Sequence, residues 1–188
     1  IELGYYRMGR SDYGPNEVSN FRKQIVEYVV TIVSKLQEQK KDILGLDQLY
    51  FYDGINFKDG DPKPKGTPDE LVKAAQEMYH ELSPETGKFF DTMVSEELMD
   101  LVNRDGKRPG GFCTSFPKYD RPYIFSNFNG TDHDITVLTH EAGHAFQNYS
   151  STNQPLVNYH WPTMEAAEIH YMSMEFFTWP WMRKFFKD

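Results

Sequence analysis

The chain has 188 residues, of which 39% are hydrophobic and 15% aromatic; that is enough for one domain with a real core, and it excludes a disordered chain. Twenty-eight acidic residues against twenty basic give a net charge of −8, with the lysines and arginines scattered, so a nucleic-acid footprint is excluded and any charged partner is cationic or neutral. Cys113 is the single cysteine, which rules out an internal disulfide and points to a reducing, cytoplasmic setting with the thiol in the core.

No stretch approaches the length of a transmembrane helix and no signal peptide opens the chain, so no membrane partner is expected. The sequence starts at Ile1 and stops at Asp188 just after the aromatic, basic run "WPWMRKFF", and it reads as a segment of a longer polypeptide.

Phe21, Ile25, Tyr28, Ile32 and Leu36 recur at three- and four-residue intervals, which predicts an amphipathic helix from about residue 17 to residue 42. Gly45 is its expected stop. "YDGINFKDGDPKPKG", residues 52 to 66, reads as a loop. Helices resume at Thr67, where "TPDE" offers an N-cap, a first-turn proline and a glutamate three residues on, and again at Ser83 with "SPE". Leu71, Ala74, Ala75 and Met78 are expected to face one core, as are Leu98, Leu101 and Val102.

After "GKRPGG" the runs "GFCTSF" and "PYIFSNF", joined by "PKYDR", predict a small hairpin. From Gly130 onward, "TDHDITVLTHEAGHAFQNY" has cap residues at Thr131 and Asp132. Ile135, Leu138, Ala142, Ala145 and Tyr149 then fall on one face, so residues 139–147, "THEAGHAFQ", sit inside a helix. There His140 and His144 project from the same side one turn apart and can reach one metal ion. Glu141, offset by one position, stays out of the first coordination shell yet near a water held by the metal, as a general base requires. Gly143 leaves room for a substrate or another backbone to approach.

A catalytic zinc takes three protein ligands and keeps one position open. "WPTMEAAEIHYMSMEFFTW" supplies carboxylates on a second helix that starts at Pro162 and Thr163 and breaks at Pro180. Glu165, Glu168 and Glu175 lie on one stripe of it with Met172. Spacing leaves Glu165 and Glu168 both open as the third ligand. His133, seven residues before His140 and about 10 Å along the axis, is too far to join. Asp134 is read as a cap or a support for the ligands, and His80, His160 and His170 as structural.

The pattern HEAGH, followed twenty-eight residues after the first histidine by a glutamate within "EAAEIHYMSMEFF", resembles the oligoendopeptidase F and Pz-peptidase branch of the thimet-oligopeptidase-like zinc peptidases. "GRSDYGPNEVSNFR", "ELSPET" and "SNFNGTDHDITVLTHEAGHAFQ" resemble it too. The resemblance implies that His140, His144 and Glu168 bind one Zn²⁺ ion and that Glu141 is the general base. It implies a mainly α fold with a small β-hairpin or sheet, built as the zincin-type catalytic region of a larger helical peptidase. Residues 1–188 would be a single segment of the catalytic domain, lacking its N- and C-terminal parts.

The implied activity is zinc-dependent endopeptidase hydrolysis of short peptides through a zinc-activated water, inside a channel completed by other segments of the same polypeptide. Oxyanion donors are expected in a segment beyond the metal helices, which this chain does not contain. Glu175 is placed to accept a hydrogen bond from the outer nitrogen of a ligating histidine. "PYIFSNFNG" resembles an edge strand that pairs with an extended substrate. Two alternatives stand beside this reading. One is a non-catalytic helical zinc-binding module, which the shortage of cysteines disfavours; the other is a zinc carboxypeptidase.

Overall fold

The computed structural model describes residues 3–10 and 12–186; the chain ends at Ile1 and Asp188 lie outside the described residues. The chain divides into two compact units, Ile1–Asp61 and Pro62–Asp188.

The first unit is helical: α1 (Leu3–Arg7), α2 (Pro15–Gln24) and α3 (Val30–Leu44), the last two joined by a π-helical turn over Ile25–Val29. The rod expected at 17–42 thus runs from Pro15 to Leu44. It stops where Gly45 takes a left-handed φ of 69°, a conformation that costs glycine little. The apolar stripe is exposed, with Phe21 at 65%, Ile32 at 60% and Leu36 at 57%.

The second unit holds α4 (Pro68–Leu82), α5 (Pro84–Ser95), a three-stranded sheet, α6 (His133–Ser151) and α7 (Met164–Thr178). The two expected helix starts are present. Thr67 accepts from the Glu70 amide while Glu70 accepts from the Thr67 amide, and Ser83 accepts from the Thr86 amide. These bonds satisfy backbone donors that a helix start otherwise leaves unpaired. Met78, Tyr79, Phe89, Phe90 and Met93 of α4 and α5 are fully buried with Ile124 of the sheet and Leu138 of α6, forming one core.

The sheet runs β1–β3–β2, with β1 (Met99–Val102) parallel and β2 (Phe112–Phe116) antiparallel to β3 (Arg121–Phe128). The predicted hairpin is therefore β2 and β3. Two expectations are corrected. Leu98–Val102 does not continue the helical pattern: Glu97, at a φ of 55°, ends α5, and the chain turns into a parallel strand. "PYIFSNFNG" is not an edge, because β3 is bonded on both sides and the outer strands are β1 and β2. Alternate residues of β3 are buried, with Pro122, Ile124, Ser126 and Phe128 facing the helices and Tyr123, Phe125 and Asn127 the other side.

Helix α6 lies on β2 and β3 and is flanked by α7. Asp134, rather than Thr131 or Asp132, organises its entry. Its carboxylate accepts from the amides of Asn129 and Gly130 at 2.7–3.1 Å, whereas Asp132 makes no side-chain cap bond. Gly143 sets the approach of the two helices: a Cβ there would stand 3.0 Å from both the Tyr171 Cα and the Met174 Cβ. The space that glycine leaves is thus taken by the backbone of α7. No described helix is long and apolar enough to cross a membrane.

Candidate metal centre

His140 and His144, one turn apart on α6, bring their Nε2 atoms to 3.2 Å. From α7, Glu168 places Oε2 3.6 Å from His140 Nε2. A tetrahedral ion with ligands at about 2.0–2.1 Å keeps neighbouring ligand atoms about 3.3 Å apart. The His140–His144 and His140–Glu168 separations each match that corner spacing. Among the described residues, the trio whose potential ligand atoms all lie within 4.8 Å of one another is His140, Glu141 and His144. Glu168 lies outside that trio and approaches His140 from the neighbouring helix, its side chain half exposed at 52%.

The outer nitrogen of His140 is engaged as expected, Nδ1 standing 2.7 Å from Glu175 Oε1. An Nδ1–H donated to that carboxylate fixes the tautomer and turns the Nε2 lone pair toward His144 and Glu168. Burial first, and the neighbouring His140 second, push His144 down to about 3. That keeps its imidazole neutral, the form that binds a metal.

Glu141 is buried, and its Oε2, 3.9 Å from His144 Nε2, has no hydrogen-bond partner. Its Oε1 faces the start of β2, 3.7 Å from where a Cβ on Gly111 would stand. Burial pushes its carboxyl up to about 7; His140 pulls it down, Glu168 adds to the rise, and the Cys113 amide opposes it. A buried carboxylate with an unanswered oxygen beside two metal-competent nitrogens is suited to exchange a proton with a water molecule.

The remaining sequence candidates stand apart. His133 is exposed in the first turn of α6. His80 pairs with Asp91 at 2.9 Å, and buried His160 faces the Gln154 carbonyl at 3.3 Å. His170 and Glu165 are exposed on α7. Cys113 is largely enclosed, and burial, reinforced by Glu141, pushes its thiol up.

Tyr171 was not anticipated. It is fully buried, its ring lies edge-on to His140 at 5.8 Å, and its hydroxyl has no partner. Its place three residues after Glu168 on α7 was the available signal. Trp161, whose indole donates to Ser115 Oγ at 2.9 Å, ties the segment after α6 to β2.

The sequence pattern of Peptidase family M3 matches residues 8–187. The chain belongs to peptidase family M3. This M3 chain is 28% identical over 145 residues to an oligoendopeptidase F homolog of Borreliella burgdorferi, covering 72% of the chain and 23% of the relative. It is 27% identical over 161 residues to the chromosomal oligoendopeptidase F of Lactococcus lactis subsp. cremoris, covering 85% and 26%. Among solved structures, PZ peptidase A with an inhibitor superposes at a TM-score of 0.95 with 53% identity, over the whole chain and 34% of that protein. The M3 chain thus spans about a quarter of the length of these curated relatives. The expected resemblance to the oligoendopeptidase F and Pz-peptidase branch holds, as does the mainly helical fold with a small sheet.

Proposed function

We propose that this M3 chain carries the metal-binding and proton-transfer part of a zinc metalloendopeptidase acting on short oligopeptides. The observation that carries the reading is the approach of both His144 Nε2 and Glu168 Oε2 to His140 Nε2, beside the unpartnered oxygen of Glu141. His140, His144 and Glu168 are the ligands in this reading, with Glu175 orienting His140. One zinc ion held there supplies Lewis acidity and lowers the pKa of water.

Glu141, poised near neutrality by burial, takes the proton of the attacking water and returns it to the leaving amine. β2, an outer strand that begins beside Glu141, offers its free side to an extended peptide. Residues 1–188 form a single segment of the catalytic domain; other segments of the polypeptide supply oxyanion donors and enclose the peptide, in a cytoplasmic setting that the lone thiol supports.

Three measurements test this in the complete polypeptide. Metal analysis gives one zinc per chain, and substoichiometric zinc that added metal does not restore overturns the site. Glu141→Gln keeps the zinc and lowers kcat by a factor on the order of 10² or more, and retained turnover removes Glu141 as the base. An internally quenched peptide blocked at both ends is cleaved; resistance to cleavage assigns the site to a carboxypeptidase instead.

A further inference from the structure

Lys107 lies outside the metal centre, in the loop between β1 and β2, yet its side chain is only 1% exposed. Its ammonium reaches four oxygens: the Asp100 carbonyl and Oδ1 at 3.0 Å, the Val102 carbonyl at 2.9 Å and the Ser126 carbonyl. It also sits 4.5 Å from the centre of the Phe125 ring. An ammonium has three N–H groups, so this one is shared among more acceptors than it has protons.

The reason for that environment is in the sheet. Asp100 pairs with Phe125 and Val102 with Phe128, so two residues of β3 stand against Leu101 alone. Such a bulge breaks the backbone ladder locally, and carbonyls released into a protected site need a donor. Lys107 is that donor, and Asp100 offsets its charge. Arg104 also grips Asp100, at 2.7 and 2.8 Å, and makes a long 3.5 Å contact to the Val102 carbonyl, so Asp100 keeps a cationic partner without Lys107, whereas the Asp100 and Ser126 carbonyls have no other side-chain donor among the described residues.

The loop Lys107 anchors turns at Gly106 and Gly110, both with positive φ, 77° and 101°. Glycines at such turns leave the unfolded loop very free, so side chains must hold it. A second tie is Asn127, whose Nδ2 donates to the carbonyls of Arg108 and Gly110 at 2.9 and 2.8 Å. Immediately after these ties, Gly111 forms the wall against Val137 and Glu141. Phe112 stacks on Phe125, the ring beneath Lys107, at 4.9 Å, and the Cys113 amide faces the Glu141 carboxylate.

We infer that Lys107 is a positioning residue: by filling the bulge between β1 and β3 it sets where β2 begins, and so sets the wall against which Glu141 acts. The inference rests on the proposed peptidase reading.

The test uses the complete polypeptide, zinc-loaded, assayed well below its melting temperature with a quenched peptide. Lys107→Met is expected to keep one zinc per chain while kcat falls roughly tenfold or more, because small displacements at a reacting centre are costly. Arg104→Ala, which removes the exposed partner of Asp100 and a long contact to Val102 but leaves Lys107 in the bulge, stays within twofold of the parent. A purely structural role lowers the melting temperature but leaves kcat per zinc-loaded molecule unchanged; Lys107→Met within twofold of the parent in both kcat and KM overturns the inference. If Lys107→Met gives no cooperative melt, Asn127→Ala removes the second tie alone. A loss of threefold or more in kcat at full zinc then supports the inference, and a smaller one overturns it. Failure of the peptidase reading shows separately, as a parent without zinc or an active Glu141→Gln.

Discussion

Glu141 gives the clearest prediction at the scale of a residue. A glutamate ionises near 4.5, whereas burial holds this one at about 7. Folding therefore favours its protonated form, a contribution fully present below about pH 4.5 and lost as pH rises through about 7. The melting temperature of the metal-free chain is expected to fall across that window more steeply for the parent than for Glu141→Gln, and equal slopes by calorimetry would count against the burial argument. The pair of histidines was legible because helical spacing is fixed: a four-residue step returns to the same face whatever surrounds it. The choice of Glu168 over Glu165 was not, since both lie on one stripe; it came from family resemblance. Lys107 was illegible for another reason. Its acceptors on β1 and β3 lie up to nineteen residues away, and no local pattern announces a bulge.

Between elements, the close approach of α6 and α7 is what lets carboxylates from one helix meet the His140 imidazole of the other. Gly143→Ala puts a methyl group 3.0 Å from the Tyr171 Cα, and overpacking of that kind costs about 1–3 kcal/mol. The variant is expected to melt lower and to bind zinc more weakly, because Glu168 is carried outward with α7; unchanged values in a metal titration would show that the helices have slack. The starts of α4 and α5 were readable because cap bonds join residues three apart. The stop at Gly45 was readable from one residue's conformational freedom. β1 was missed, being four residues long and paired in parallel with a strand more than twenty residues later. The same non-locality hid the central place of β3: "PYIFSNF" alternates as a strand does, but nothing within it says that both of its sides are bonded.

At the level of the whole molecule, the first unit leaves a row of large apolar side chains in water, among them Phe21, Ile32 and Leu36, a pattern that favours association. The 188-residue chain on its own is expected to self-associate at micromolar concentration, and Ile32→Glu with Leu36→Glu to shift it toward monomer in light scattering. A parent that is already monomeric would contradict this. The contact at Gly143 has a further meaning for anyone who would move this chemistry elsewhere. A nine-residue peptide copied from residues 139–147 onto another helix would carry two histidines and a glutamate, but neither the carboxylate of Glu168 nor the support of Glu175, both of which arrive on a second backbone held at glycine distance. The smallest transplantable unit is therefore the crossed pair of α6 and α7, with the residue that lacks a side chain as much a part of it as those that would hold the metal.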